Sequence, residues 1–154
     1  MAVLIFILRL GIGALLIVAG VFKLHDGPTA SVEAVAAYKL LPQILTTVLG
    51  VALPYLELAL GGYLVLGLFT RIVGWIVTAQ FLVFSLAVAS LVIRKLPADC
   101  GCFGSGLPTP PSWGHVAVDV LLAALAFTIA RYGPGAFAVD RWLSGGAAAV
   151  GAEE

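Results

Sequence analysis

The two cysteines, Cys100 and Cys102, have the clearest capacity for chemistry in this chain. They are the only cysteines among 154 residues, and Gly101 alone separates them. A disulfide between them requires Cα atoms within about 7 Å of each other, a tight turn that glycine permits. A ring this small restrains an unfolded chain very little, and strained, exposed disulfides are oxidising and labile. The pair therefore favours thiol–disulfide exchange over a structural crosslink.

The surroundings of the pair leave other interpretations open. Arg94 and Lys95 would lower the pKa of a nearby cysteine thiol, whereas Asp99 would raise it. The sequence does not give the direction of the net pKa shift. Two thiolates with His25 or His115 could bind a soft ion such as copper or zinc, which would indicate a metal-binding or transport protein. In a third interpretation the cysteines are incidental and the protein is a non-catalytic membrane scaffold subunit.

A histidine and an aspartate follow the cysteines in a pattern that suits proton transfer. His115 and Asp119 are one helical turn apart on the same face of a predicted helix. They lie within about 10 Å of the cysteine side, at about 1.5 Å per helical residue. His115, oriented by Asp119, is a candidate proton acceptor for thiol chemistry. The alternative is an interfacial histidine and an aspartate that packs between helices.

The composition places these residues in a membrane protein. Hydrophobic residues make up 62% of the chain and charged residues 10%, whereas soluble domains have about 45–50% and about 25%. A soluble protein of this size could not bury so much apolar surface. The formal net charge is zero, which gives no indication of a nucleic-acid partner. We expect one domain over residues 1–154, with the lipid bilayer as its surroundings.

The apolar segments predict an all-α integral membrane protein with a four-transmembrane-helix bundle. A short interfacial helix is expected between the first two spans, capped by Ser31 and ended by Pro42. Thr70 and Arg71 are expected to form the short turn between the second and third spans, which should pack antiparallel. No basic residue precedes the first apolar run, which favours a retained span over a signal peptide. The predicted spans are 2–22, 44–69, 72–93 and 113–130, followed by a partly mobile tail, 131–154.

Four spans would put both termini on one side of the membrane and the cysteine loop on the other, together with the connection over 23–42. Basic residues are almost equally numerous on the two sides, so the positive-inside rule does not orient the bundle.

Three polar residues inside the spans are costly there and predict a specific role. Arg9, Glu57 and Gln80 each lie roughly 20 Å from the cysteine side, at about 1.5 Å per residue. We predict that Arg9 and Glu57 form an ion pair between closely packed helices. The pair would either fix the helix register or form a proton or quinone site. The glycines expected to permit close packing in the first span are Gly11, Gly13 and Gly20.

Several short motifs give the chain a resemblance to a known family. It resembles the methylamine-utilisation MauE family, within the wider DoxX-like group of four-helix membrane proteins. The motifs occur in family order and cover roughly residues 5–130. They are Arg9-Leu10 with Gly13, Gly20-Val21-Phe22-Lys23-Leu24, Ala37-Tyr38-Lys39-Leu40-Leu41-Pro42, Leu53-Pro54-Tyr55-Leu56-Glu57-Leu58 with Gly61, and Asp99-Cys100-Gly101-Cys102-Phe103-Gly104.

The resemblance implies a bacterial inner-membrane protein that acts with a thioredoxin-like periplasmic partner. The pair would form or rearrange disulfides of an exported client protein. The chain would then be a thiol–disulfide oxidoreductase or its membrane component, with Cys100 and Cys102 as the redox pair. This role implies a periplasmic cysteine loop and cytoplasmic termini. A quinone is a candidate electron acceptor, and a second dithiol is the alternative. The family positions without an implied role are Lys23, Tyr38, Pro54 and Glu57.

Overall fold

The structure is a computed structural model that describes residues 2–96, 110–135 and 137–140. The described residues contain five α-helices and confirm the predicted all-α fold. Four of the helices are long and apolar enough to cross a membrane, so the protein is a multi-pass membrane protein. The fifth is the short helix expected after the first span. The helices are α1 (Ala2–Asp26), α2 (Pro28–Ala37), α3 (Gln43–Leu66), α4 (Thr70–Arg94) and α5 (Trp113–Tyr132).

The junction of α1 and α2 differs from the sequence prediction. Helix α1 continues to Asp26, so Lys23 lies within the helix and not in a polar connection. Helix α2 begins at Pro28, whose ring suits the first helical turn, directly after Gly27 at φ 88°. The prediction that Ser31 caps this helix is therefore wrong. Ser31 is a buried residue inside α2, and its hydroxyl donates to the Lys23 carbonyl oxygen at 3.4 Å.

The turn between α3 and α4 also lies elsewhere than expected. Helix α3 ends at Leu66 and is capped by Gly67, which adopts the left-handed conformation at φ 72°. Thr70 and Arg71, predicted to form the turn, are the first residues of α4. A Cβ at Gly67 would lie 2.1 Å from an Arg9 guanidinium nitrogen. This position therefore needs glycine both for its backbone conformation and for the close approach of Arg9.

The spans pack as two close pairs, α1 with α3 and α4 with α5, while α3 and α4 contact each other sparsely. A Cβ on Gly13 would lie 2.9 Å from the Gly61 carbonyl oxygen, and one on Gly20 would lie 2.9 Å from the Pro54 carbonyl oxygen. These glycines therefore bring the backbones of α1 and α3 together, as expected. Gly11 was also expected to do so, but no atom lies within 4 Å of its Cβ position. The core cluster that joins the pairs is Ile5, Ile12, Leu16, Leu60, Leu64, Val73, Val77, Phe81, Ala123, Ala126 and Ile129.

The two ends of the bundle have different neighbours. At the first end, which we call the terminal end, Arg9 donates to the carbonyl oxygen of Pro134, which follows α5. The α3–α4 turn lies at this end as well. At the opposite end, the loop end, Arg94 at the end of α4 donates to the Tyr38 carbonyl oxygen at 2.8 Å. The loop end thus brings together α2, the end of α4 and the start of α5, the arrangement expected for four spans.

Candidate functional site

The predicted redox pair lies in a segment flanked by described residues at the loop end. Cys100 and Cys102 themselves lie outside the described residues. Helix α4 ends at Arg94 and α5 begins at Trp113, and these two helices pack closely along their length. Ser85 in α4 donates to the Val116 carbonyl oxygen in α5 at 3.5 Å. The connection that carries the cysteines therefore starts and finishes on two helices that are fixed to one another.

His115 and Asp119, the predicted proton-transfer residues, differ in burial. His115 is half-buried, and its Nδ1 lies 2.9 Å from the Ser112 hydroxyl at the start of α5. Asp119, one turn further along, has an exposed fraction of only 7%. The structure therefore orients the imidazole through Ser112 and places the carboxylate inside the bundle. Their role in proton transfer stays a prediction.

The main polar contact within the spans is an ion pair between α1 and α3. Lys23 Nζ lies 2.5 Å from Glu57 Oε1, and the two side chains are 6% and 1% exposed. The Phe84 ring of α4 lies beside this pair, with its centre 5.7 Å from Lys23 Nζ, at a distance suited to a cation–π interaction. Lys23 and Glu57 are both positions of the family motifs, so the structure brings two distant motifs into direct contact.

The predicted ion pair between Arg9 and Glu57 is wrong, because the register of α1 on α3 separates them. Glu57 lies between the two glycine contacts, near the level of Ile17. Arg9 is then about two helical turns away, or about 12 Å at 1.5 Å per residue. Lysine and arginine side chains in a helix point back towards its N-terminus. The long side chain of Lys23 therefore reaches down to Glu57, whereas that of Arg9 points away from it.

Arg9 instead binds backbone carbonyls at the terminal end. It is fully buried, its Nε donates to Leu64 at 3.0 Å, and its Nη2 donates to Val65 at 3.3 Å. Its Nη1 donates to Pro134. The last carbonyl groups of a helix have no partners within that helix. Arg9 therefore stabilises the end of α3 and joins it to the segment that follows α5.

Asp140 completes this cluster, and the sequence analysis did not identify it. Its carboxylate accepts hydrogen bonds from the backbone N–H groups of Phe69 and Thr70, both at 2.8 Å, at the start of α4. Its negative charge also acts on Arg9. The capping group thus comes from a residue 70 positions away. A sequence signal was present, because α4 begins without a good N-cap residue of its own.

Several buried polar atoms have no hydrogen-bond partner among the described residues. They are Glu57 Oε2, Thr70 Oγ1 and both atoms of the Gln80 side-chain amide. Buried polar groups are hydrogen-bonded in the great majority of cases, and an unsatisfied one costs about 1–3 kcal/mol. Glu57 and Gln80 therefore have binding capacity that the described residues do not use.

The other predicted residues have local roles. Tyr38 follows α2, and its carbonyl oxygen binds Arg94. Pro54 lies inside α3, where its carbonyl faces Gly20. His25, proposed as a metal ligand, is exposed. Within the described ranges, no group of three His, Cys, Asp or Glu side chains is arranged to hold a metal ion.

Fold and site together define the class of this protein. It is a multi-pass membrane protein whose described residues contain four candidate spans and a buried ion pair near the loop end. A comparison with protein families matches residues 1–131 to the family described as methylamine utilisation protein MauE. The chain belongs to the MauE family, in agreement with the resemblance given by its motifs.

Three relatives carry the same description, methylamine utilization protein MauE. The chain is 36% identical over 100 residues to the protein of Paracoccus denitrificans, which covers 64% of this chain and 54% of that relative. It is 32% identical over 100 residues to that of Paracoccus versutus, with the same two coverages. It is 33% identical over 94 residues to that of Methylorubrum extorquens, covering 60% and 50%. The matches thus span about half the length of these relatives. No solved structure matches the chain.

Proposed function

We propose that this protein exchanges disulfides through Cys100 and Cys102, in support of disulfide formation in exported proteins. The observation that carries the proposal is the position of the cysteines. The two cysteines of the chain, separated by one glycine, lie in the connection between two tightly packed helices of a membrane bundle. Rigid attachment at both ends suits a small dithiol that a soluble partner must reach.

The exchange would proceed through a mixed disulfide. In the oxidising direction, a thiolate of the partner attacks the sulfur of one cysteine, for which we favour Cys102, and displaces Cys100 as a thiolate. The second thiolate of the partner then attacks the mixed disulfide. The partner leaves with a disulfide, and the protein retains a dithiol with two more electrons than before. His115, whose Nδ1 lies 2.9 Å from the Ser112 hydroxyl, would accept or donate the proton near the loop end.

The proposed partners and orientation follow from this role. A thioredoxin-like protein in the periplasm is the exchange partner, and an exported protein is its client. The cysteine loop would then face the periplasm and the chain termini the cytoplasm of a bacterium. The relatives are described as methylamine utilisation proteins. The client proposed for this chain is an exported protein with disulfides, without restriction to methylamine utilisation.

Acid-quenched thiol trapping in cells tests the redox role and the orientation together. A membrane-impermeant maleimide is applied to intact cells that carry the wild-type chain, the Cys100→Ser variant or the Cys102→Ser variant. We expect a mixture of disulfide and dithiol in the wild type, with labelling from the periplasmic side. One single variant should accumulate a mixed disulfide with a thioredoxin-like protein, since it lacks the resolving thiol.

Two results would contradict the proposal. Cysteines that stay reduced and become reactive only after treatment with a chelator would favour soft-metal binding. A Cys100→Ser, Cys102→Ser double variant that fully supports disulfide formation in exported proteins would favour the scaffold interpretation.

A further inference from the structure

We propose that Lys23, Glu57 and Gln80 form an intramembrane site for the headgroup of a lipid-soluble quinone. This inference rests on the proposed function, because it names the acceptor of the electrons that disulfide formation releases. The site itself consists entirely of described residues. Gln80 and Lys23 would donate hydrogen bonds to the quinone oxygens. Glu57 would accept a hydrogen bond from a hydroxyl group of the quinol.

The first support is the incomplete bonding of the ion pair. Lys23 contacts one oxygen of Glu57, while Oε2 has no partner among the described residues. A lysine ammonium has three donors, of which this contact uses one. The pair therefore offers both an acceptor and donors at one point inside the membrane, where partners from water are scarce.

The second support is the position of Gln80. It is 9% exposed, and neither its amide oxygen nor its amide nitrogen has a described partner. Gln80 precedes Phe84 by four residues, so the two share one face of α4. Phe84 contacts Lys23 of α1. The Gln80 amide therefore lies about one turn, or about 5 Å, deeper than the ion pair on the side of α4 that faces it.

These groups match the chemistry of a quinone headgroup. A quinone has two carbonyl oxygens on opposite sides of a flat ring, each of which accepts a hydrogen bond. An amide donor and an ammonium donor about one helical turn apart, with an aromatic ring beside the ammonium, would supply that pattern. The reduced form carries two hydroxyl groups, for which Glu57 Oε2 and the Gln80 oxygen are acceptors. The same residues can therefore bind both the quinone and the quinol.

The depth and packing of the site also suit a lipid-soluble ligand. Lys23 lies three residues before the end of α1, so the pair is roughly 10 Å below the loop end when the side-chain length is included. Helices α3 and α4 contact each other sparsely. Among the pairs of consecutive spans, α3 and α4 have the least contact, and the site is separated from the bilayer at this α3–α4 contact.

The overall reaction balances with this acceptor. The Cys100–Cys102 dithiol loses two electrons and two protons and becomes a disulfide, while the quinone gains them and becomes a quinol. The resulting disulfide is the oxidant that the proposed exchange with a thioredoxin-like partner consumes.

Photolabelling tests the site without reference to thiol chemistry. Purified protein in lipid nanodiscs is labelled with an azido-benzoquinone in competition with decylubiquinone, and the labelled peptides are mapped by mass spectrometry. We expect competed labelling near Glu57 or Gln80 in the wild type and in the Cys100→Ser, Cys102→Ser variant. Gln80→Leu should weaken competition by about tenfold, or about 1.4 kcal/mol, because it removes the hydrogen bonds of the side-chain amide.

A matched variant separates binding from folding. Thr78 is also a buried polar residue of α4, but its hydroxyl donates to the Gly74 carbonyl within the helix. Thr78→Val should therefore leave the competition unchanged, and Gln80→Met is a second variant should Gln80→Leu fail to fold. If decylubiquinone competes with the label equally well in the wild type and in the Gln80 variants, the proposed site is wrong. If exchange with thioredoxin persists in that case, the proposed function stands without it.

Discussion

The two ends of this membrane bundle each bury charged side chains, but they use them differently. At the terminal end, each guanidinium nitrogen of Arg9 donates to a backbone carbonyl, and both oxygens of Asp140 accept from backbone N–H groups. Towards the loop end, one carboxylate oxygen of the Lys23–Glu57 pair and the Gln80 amide have no hydrogen-bond partner among the described residues. A buried charged group whose atoms all form hydrogen bonds stabilises the fold. A buried group with an unused donor or acceptor can instead bind a ligand.

The comparison predicts the largest loss of stability for Arg9→Leu. Three carbonyl oxygens lose their donor, at about 1–3 kcal/mol each, so the free energy of unfolding should fall by roughly 3–9 kcal/mol. SDS titration in mixed micelles measures it. Arg71→Met is the matched control, because Arg71 is exposed at the same end of the bundle, and it should change little. If Arg9→Leu lowers the free energy of unfolding by less than about 1 kcal/mol, the structural role assigned to the terminal end is wrong.

Lys23→Met should lower the free energy of unfolding nearly as much as Arg9→Leu does. In this case, however, a second substitution should restore stability. The single change leaves Glu57 buried without its partner, at about 3–5 kcal/mol, whereas an apolar pair in place of an ion pair is often neutral. The Lys23→Met, Glu57→Met double variant should therefore unfold close to the wild type in the same titration. No second side-chain change should rescue Arg9→Leu, because the partners of Arg9 are backbone carbonyls. A double variant as unstable as the single one would contradict the contrast between the two ends.

The close packing of α1 on α3 predicts an intermediate effect at Gly61. Its added methyl group would lie 2.7 Å from the Gly13 carbonyl oxygen and 2.8 Å from the Ile17 side chain. Gly61→Ala should therefore cost about 1–3 kcal/mol by forcing the helices apart. Gly62→Ala is the control, since no atom lies within 4 Å of that Cβ position. Equal stability of the two variants would mean that glycine contact does not set the register.

The smallest of these effects is expected for Asp140→Ala, which removes a cap without creating a cavity. Loss of an N-cap costs about 0.5–2 kcal/mol. Hydrogen exchange followed by mass spectrometry should show faster exchange at the start of α4, near Phe69 and Thr70, and unchanged exchange around Lys23. Faster exchange throughout the bundle would instead mean that Asp140 holds the whole fold together.

The sequence predicted the spans well because a bilayer imposes their length and apolar character. It also indicated the glycine face that joins α1 to α3. It failed at Ser31 and at Thr70, where Pro28 and Gly67 determined the helix boundaries. These errors are local, since one or two residues decide where a helix begins or ends.

The candidate site was harder to predict because ion pairing depends on helix register and side-chain direction. Depth estimates placed Arg9 and Glu57 in one layer, as though both spans began at the same surface. Helix α3 in fact starts beyond the end of α1, so Glu57 lies closer to the loop end than Arg9 does. Lys23 was a family position without an assigned role, and its long side chain extends along the helix to Glu57. The cap from Asp140 required contacts across 70 residues, which a local pattern does not contain.

The contact of Arg9 with Pro134 has a consequence for how the protein is made. Arg9 lies in the first of the four described spans, and an arginine at the centre of a membrane helix costs about 2.5–3.5 kcal/mol during insertion. Its acceptors at Leu64, Val65 and Pro134 are synthesised much later. Until those residues have been synthesised, the Arg9 guanidinium lacks these three backbone acceptors. A chain truncated before Pro134 would lack one of these acceptors permanently, so we expect its first span to pack less stably than in the longer chain.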